Sequence, residues 1–232
     1  MLIRREDPEP SLGWKSVGDI KDATVYGMRA SPPCCKVTAL LKYYKIPFNF
    51  VETSPGKPIT KGGSYKKIPV LRASGRQVND SYVICKSILS VVGKFDAEVE
   101  EMITFCIQPA LEMEAFKEPE DFRKYAVAAG FGVVHYVPGF ILGLLSPANM
   151  IKKKYPDLKP LVDYGKEFQS KMNGRPFVGG AEPSGHDISL YGTLYFFKKA
   201  KCTKADDFLK NSDLQSWYDR VNAKMPPDWD NN

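Results

Sequence analysis

Histidine is scarce and the cysteines are poorly spaced for a metal. The 232 residues hold two histidines, His135 and His186. None of the five cysteines (Cys34, Cys35, Cys85, Cys106, Cys202) stands three positions from another, so no Cys-x-x-Cys pair exists. The short ligand spacings of a zinc site are missing, and no metal is expected. The odd cysteine count also lacks the pattern of a small secreted disulfide framework, which favours a reducing, intracellular compartment. There is no long basic block either. The 33 Lys+Arg against 27 Asp+Glu leave a net charge of +6 spread along the chain. That surplus suits anionic ligands or acidic surfaces, and nucleic acid is not an expected partner. Met1–Pro10 has no apolar core, because Arg4 and Arg5 are followed at once by Glu6 and Asp7. Neither a signal peptide nor a transit peptide is expected there.

What is present is an ordinary globular balance, 43% hydrophobic and 26% charged, in a length that suits one large domain or two small ones. Residues 1–22 read as a polar N-terminal arm. From 23 to 93 the pattern is regular. Ala23–Met28 is a short β-rich run, Cys34–Tyr44 repeats at helical period, and Phe48–Val51 is a second strand. Ser54–Lys67 is a loop rich in glycine, proline and lysine. Ile68–Arg72 and Gln77–Asn79 flank a turn at Ser74-Gly75, and a helix runs on to Val91. Residues 94–232 show no convincing strand. Helices are expected at 98–115, 121–145, 158–172, 187–200 and 213–224. The fold class is therefore α/β plus all-α: a thioredoxin-like βαβββα domain, then a helical domain.

Four local features invite a functional reading. Ser31-Pro32-Pro33-Cys34 stands at the first strand-to-helix turn, where Ser31 suits the N-cap and Pro32 the first helical position. Cys34 falls in the first turn, where a thiol either packs into the core or is activated by the helix N-terminus. Pro69, in Ile68-Pro69-Val70, opens a strand that it cannot support with a hydrogen bond. Asp80-Ser81 starts a helix whose free amides and serine hydroxyl suit an anion. Ser184-Gly185-His186-Asp187 is a capping box ahead of the apolar run Ile188–Phe197, with His186 read as a loop residue.

Together these features resemble the glutathione transferase superfamily. Lys36-Val37, Ser64-Tyr65-Lys66-Lys67-Ile68-Pro69-Val70, Val78-Asn79-Asp80-Ser81, Arg175-Pro176-Phe177 and Gln215-Ser216-Trp217-Tyr218 are similar to its membrane-associated prostaglandin E synthase type 2 branch, over roughly residues 23–225. The resemblance implies glutathione as cofactor. Pro69 would follow a cis peptide bond, leaving the Ile68 backbone to pair with the cysteinyl part. Ser81 would take the γ-glutamyl carboxylate and Asp80 the ammonium. The leading cysteine of the branch's motif is replaced here by Ser31, whose hydroxyl would support the glutathione thiolate as some transferase classes do. Ser31 and Cys34 are then the candidate catalytic residues. An apolar electrophile would bind between the domains, near Phe105 or Tyr136.

A second reading keeps the fold without the chemistry: a catalytically silent accessory subunit of a larger membrane-bound assembly, such as a mitochondrial respiratory complex. The stretch Tyr125–Ile151 motivates it, since it holds no Asp, Glu, Lys or Arg. Arg123-Lys124 and Lys152-Lys153-Lys154 flank it. It reads as a buried helix pair kinked at Pro138, a helix on a membrane surface or partner subunit, or a spanning helix. Membrane association, and a mitochondrial or a cytoplasmic location, are left open by these residues.

Overall fold

The computed structural model describes residues 14–230 apart from 54–55, 57–58, 60–64 and 93–94. β1 (Ala23–Gly27) runs into α1 (Pro32–Tyr43), and β2 (Phe48–Glu52) returns parallel to β1. A parallel pair needs a crossover, and α1 supplies it. β3 (Val70–Ala73) pairs antiparallel with β1, and β4 (Arg76–Asn79) with β3. The sheet order is β2-β1-β3-β4. Ser74 and Gly75 both have positive φ, 52° and 72°, as a two-residue hairpin turn with the twist of its strands requires. α2 (Ser81–Val91) closes the unit. This is the expected βαβββα order.

Part of the polar N-terminal segment joins this unit. After a 3-10 turn at Val17–Asp19, Ile20 enters the core. Ser74 Oγ donates to the Asp19 carbonyl at 2.6 Å and accepts from Lys21 N at 3.0 Å, fastening residues 19–21 to the hairpin.

The second unit is helical. α3 (Ala97–Glu101) passes through a π-helical stretch, Met102–Ile107, into α4 (Gln108–Lys117). Pro109 explains the widened turn: it lacks an N–H, and its ring crowds the carbonyl four residues back. Then come α5 (Pro119–Ala128), α6 (Gly139–Leu145), α7 (Ala148–Lys154), α8 (Leu161–Met172), α9 (Gly185–Lys199), α10 (Thr203–Asn211) and α11 (Gln215–Lys224). Among the described residues no strand follows β4, only an isolated bridge between Phe177 and Gly180. α9 is the central post, buried on nearly every side, as a helix apolar all round must be. It crosses α1 at Gly192, where an added Cβ would lie 2.8 Å from Lys36 Cα and 2.9 Å from the Cys35 carbonyl. Only glycine permits that approach.

Three expectations need correction. The helix expected over 121–145 is α5, a 3-10 turn at Gly132–Tyr136 and α6; Gly130 has φ 91°, and Pro138 caps α6 rather than kinking a longer helix. Among the described residues no helix is long and apolar enough to cross a membrane, and much of 131–150 is exposed rather than buried. His186 is not in a loop. It lies in the first turn of α9 at 2% exposure, because the capping box starts the helix at Gly185.

Candidate functional site

Sheet register brings the candidate residues to one end of the first unit. Tyr26, Val70 and Asn79 lie in one cross-strand row. One step beyond that row stand Gly27 before the β1–α1 turn, Pro69 before β3 and Asp80 after β4. The N-termini of α1 and α2 therefore flank the start of β3. β1 and β4 are two strand spacings apart, about 10 Å.

Ser31 occupies the N-cap of α1 with extended backbone, φ −112° and ψ 120°. Its carbonyl accepts from Cys35 N at 2.9 Å, while its side chain makes no capping bond. The plain cap expected from the sequence is thus not formed by this side chain. Cys34 itself is fully buried. Burial pushes its thiol up to about 11, with the Ser31 hydroxyl pulling the other way. A buried thiol held in that range is a core group rather than an exposed nucleophile. Cys35 is also buried, with Sγ donating to the Arg29 carbonyl at 3.1 Å.

The Ile68–Pro69 peptide is cis, as expected, with Pro69 buried and Ile68 half-buried. Asp80 caps α2: its carboxylate accepts from Tyr82 N at 2.8 Å. Its φ is 73° with ψ 132°, a region that non-glycine residues rarely enter and that is costly unless the surroundings impose it. Ser81 follows at the first helical position, largely buried. Two side chains at this end were not singled out from the sequence. Burial, with the Asp80 carboxylate adding to it, raises the pKa of Tyr65. Tyr82 donates to Glu101 Oε1 at 3.1 Å and stacks on Phe105, ring centroids 5.3 Å apart. Phe105 thus borders the start of α2, whereas Tyr136 stands on the outer surface, 89% exposed.

A cavity of about 330 Å³ opens on the β2 flank of the α1 N-terminus. Arg29, Cys34, Phe50, Tyr195, Lys199 and Trp229 are among its walls; Ser31, Pro69 and Ser81 are not. Its cations are matched within it: Arg29 Nε lies 3.6 Å from Glu52, and Lys199 Nζ 3.0 Å from Asp230. Among the described residues no cluster suited to a metal ion occurs.

Residues 25–93 match the family described as glutathione S-transferase, N-terminal domain. Over 82 residues the chain is 33% identical to prostaglandin E synthase 2 of Danio rerio, covering 34% of this chain and 22% of that protein. With prostaglandin E synthase 2 of Mus musculus it shares 26% identity over 267 residues, 85% of this chain and 69% of the other. The chain thus spans about a fifth of the first relative and about two thirds of the second. Among solved structures, human glutathione-S-transferase T1-1 in its apo form superposes with a TM-score of 0.54 at 15% identity, covering 89% of this chain and 85% of that one. That likeness is one of fold.

Proposed function

We propose that this chain, whose residues 25–93 match the glutathione S-transferase N-terminal domain, is a member of the glutathione transferase superfamily beside the prostaglandin E synthase 2 branch, and that it binds glutathione between α1 and α2 and activates its thiol. The observation that carries the reading is the register row. It gathers Ser31, Ile68, Pro69, Asp80 and Ser81 at one sheet end across about 10 Å, and an extended tripeptide spans about 10 Å.

In this arrangement the Ser81 hydroxyl and the amides of the first turn of α2 take the γ-glutamyl carboxylate. Asp80 takes the ammonium. The Ile68 backbone pairs with the cysteinyl amide as an added strand would. Ser31 donates to the sulfur, stabilising thiolate over thiol, so the thiol releases its proton more readily than in water. The thiolate then attacks an electrophilic carbon of an apolar acceptor: in a transferase reaction the carbon–sulfur bond forms as the bond to a leaving group breaks, and that group departs with the electron pair and takes a proton from water. In an isomerase reaction the carbon–sulfur bond breaks again and glutathione is regenerated. No nucleophilic role falls to Cys34. All five cysteines are free.

Calorimetric titration of the full chain with glutathione tests this reading. Saturable binding is expected, weakened about tenfold or more in Ser81→Ala, which removes a hydrogen bond to a charged group. Absence of heat from the wild-type chain would overturn it. The accessory-subunit reading rests on a different observation, the exposed apolar residues of 131–150, and expects no such heat.

A further inference from the structure

The described surface carries eight well-exposed large apolar side chains, and seven of them fall between residues 131 and 150. Phe131, Tyr136, Phe140, Leu144 and Met150 are among them, each more than half exposed. Scattered apolar residues are normal on a protein surface; concentration in one twenty-residue stretch marks a contact surface.

The stretch is fastened to the body of the protein. Arg123 Nη1 donates to the carbonyls of Val134 at 2.6 Å and His135 at 3.0 Å. The Ser146 hydroxyl donates to the Phe116 carbonyl. On α6, Leu142 is fully buried while Phe140 and Leu144, four residues apart, face outward together. The apolar face is therefore a fixed feature, held with its side chains in water.

Charge indicates the occupant. No acidic residue occurs from 125 to 151, and Lys152, Lys153 and Lys154 follow, all exposed. Lys153 and Lys154 stand three and four residues after Met150 on α7, so they share its side of the helix. Aromatic and aliphatic side chains beside exposed lysines match the boundary between acyl chains and anionic headgroups. With no described helix able to span, the contact lies in the plane of the interface. We propose that residues 131–154 dock this protein on a lipid surface bearing anionic headgroups, the apolar side chains entering the boundary and the three lysines lying among the phosphates.

Sedimentation of the purified full chain with vesicles tests the proposal, using phosphatidylcholine alone and phosphatidylcholine mixed equally with phosphatidylglycerol. Binding is expected to the mixed vesicles, weaker to the neutral ones, and reduced by added salt. Each lysine at an anionic surface contributes about fivefold, so changing Lys152, Lys153 and Lys154 to glutamine should weaken binding on the order of a hundredfold. The doubly substituted variant Phe140→Asp with Leu144→Asp should abolish binding with an unchanged melting temperature, since both side chains are exposed. Failure of the wild-type chain to sediment with either vesicle overturns the proposal, as does binding by the aspartate variant equal to wild type. Self-association that the same aspartates abolish, without vesicle binding, would assign the face to a second copy and overturn the lipid assignment.

Discussion

Lys36 Nζ lies 3.0 Å from Glu100 Oε1, with neither side chain exposed to solvent. The pair joins α1 of the first unit to α3 of the second. Lys36 also donates to Thr104 Oγ1 at 2.7 Å, and Ser189 of α9 donates to Glu100 Oε1 at 3.0 Å. His186 Nε2 accepts from Asp96 N at 2.8 Å, so the ring proton sits on Nδ1, 3.2 Å from Glu100 Oε2, and is donated there. Burial would raise the Glu100 carboxyl, but Lys36 and His186 outweigh it and hold the group down at about 2.

Removing one partner strands a buried charge. Glu100→Ala should lower unfolding free energy by about 3–5 kcal/mol in urea denaturation, and Lys36→Met should also destabilise. The double substitution should cost less than the sum, because the loss is mostly of pairing. Additive single losses would show that the pair is not coupled. With its folded pKa depressed, Glu100 contributes stability that is complete above about 4.5, the ordinary value, and is lost as pH falls toward about 2.

Asp187 gathers five donors: Val178 N at 3.0 Å, Gly179 N at 3.2 Å, Ser184 N at 2.7 Å, Ser184 Oγ at 2.6 Å and Trp217 Nε1 at 2.9 Å. It starts the central helix and anchors the buried indole together. Asp187→Ala should cost at least about 2 kcal/mol, beyond the usual ~1 kcal/mol of a cap, because buried donors are left unpaired. Thermal melting of the variant checks this; a loss no larger than an ordinary cap's would contradict it.

Glu112 on α4 shows the opposite electrostatics. Burial pushes its carboxyl up to about 7, against the pull of a Gln108 Nε2 hydrogen bond at 3.0 Å and the Lys154 ammonium. The folded chain therefore keeps a proton that the unfolded chain releases from about 4.5 upward. Its contribution to stability falls as pH rises from about 4.5 to about 7. Glu112→Gln should flatten the melting temperature across that window and raise it at the upper end. An unchanged pH profile in the variant would remove Glu112 as its cause.

The first unit was legible because its signals are local: strand runs, a proline at a helix start, and a turn whose two central residues take positive φ. Ile68-Pro69 and Asp80-Ser81 could be placed for the same reason. Other features were hidden by distance. Nothing near Lys36 announces Glu100, 64 residues away, or its link to His186. α7 and α10 leave little trace in the sequence because each is short; α7 buries only Ala148, too little to set a periodicity. The exposed face of 131–150 could be named as uncharged, but whether it faced the core or water depended on packing against α4 and α5.

On the proposed reading Ser31 stabilises the thiolate of bound glutathione, and the pKa of that thiol reports it. Ultraviolet difference titration of glutathione bound to the full chain should show ionisation at least about one unit below the ordinary thiol value of about 8.5. In Ser31→Ala the tripeptide should still bind, with its thiol returned toward about 8.5. Bound glutathione that titrates identically in wild type and Ser31→Ala would contradict the account.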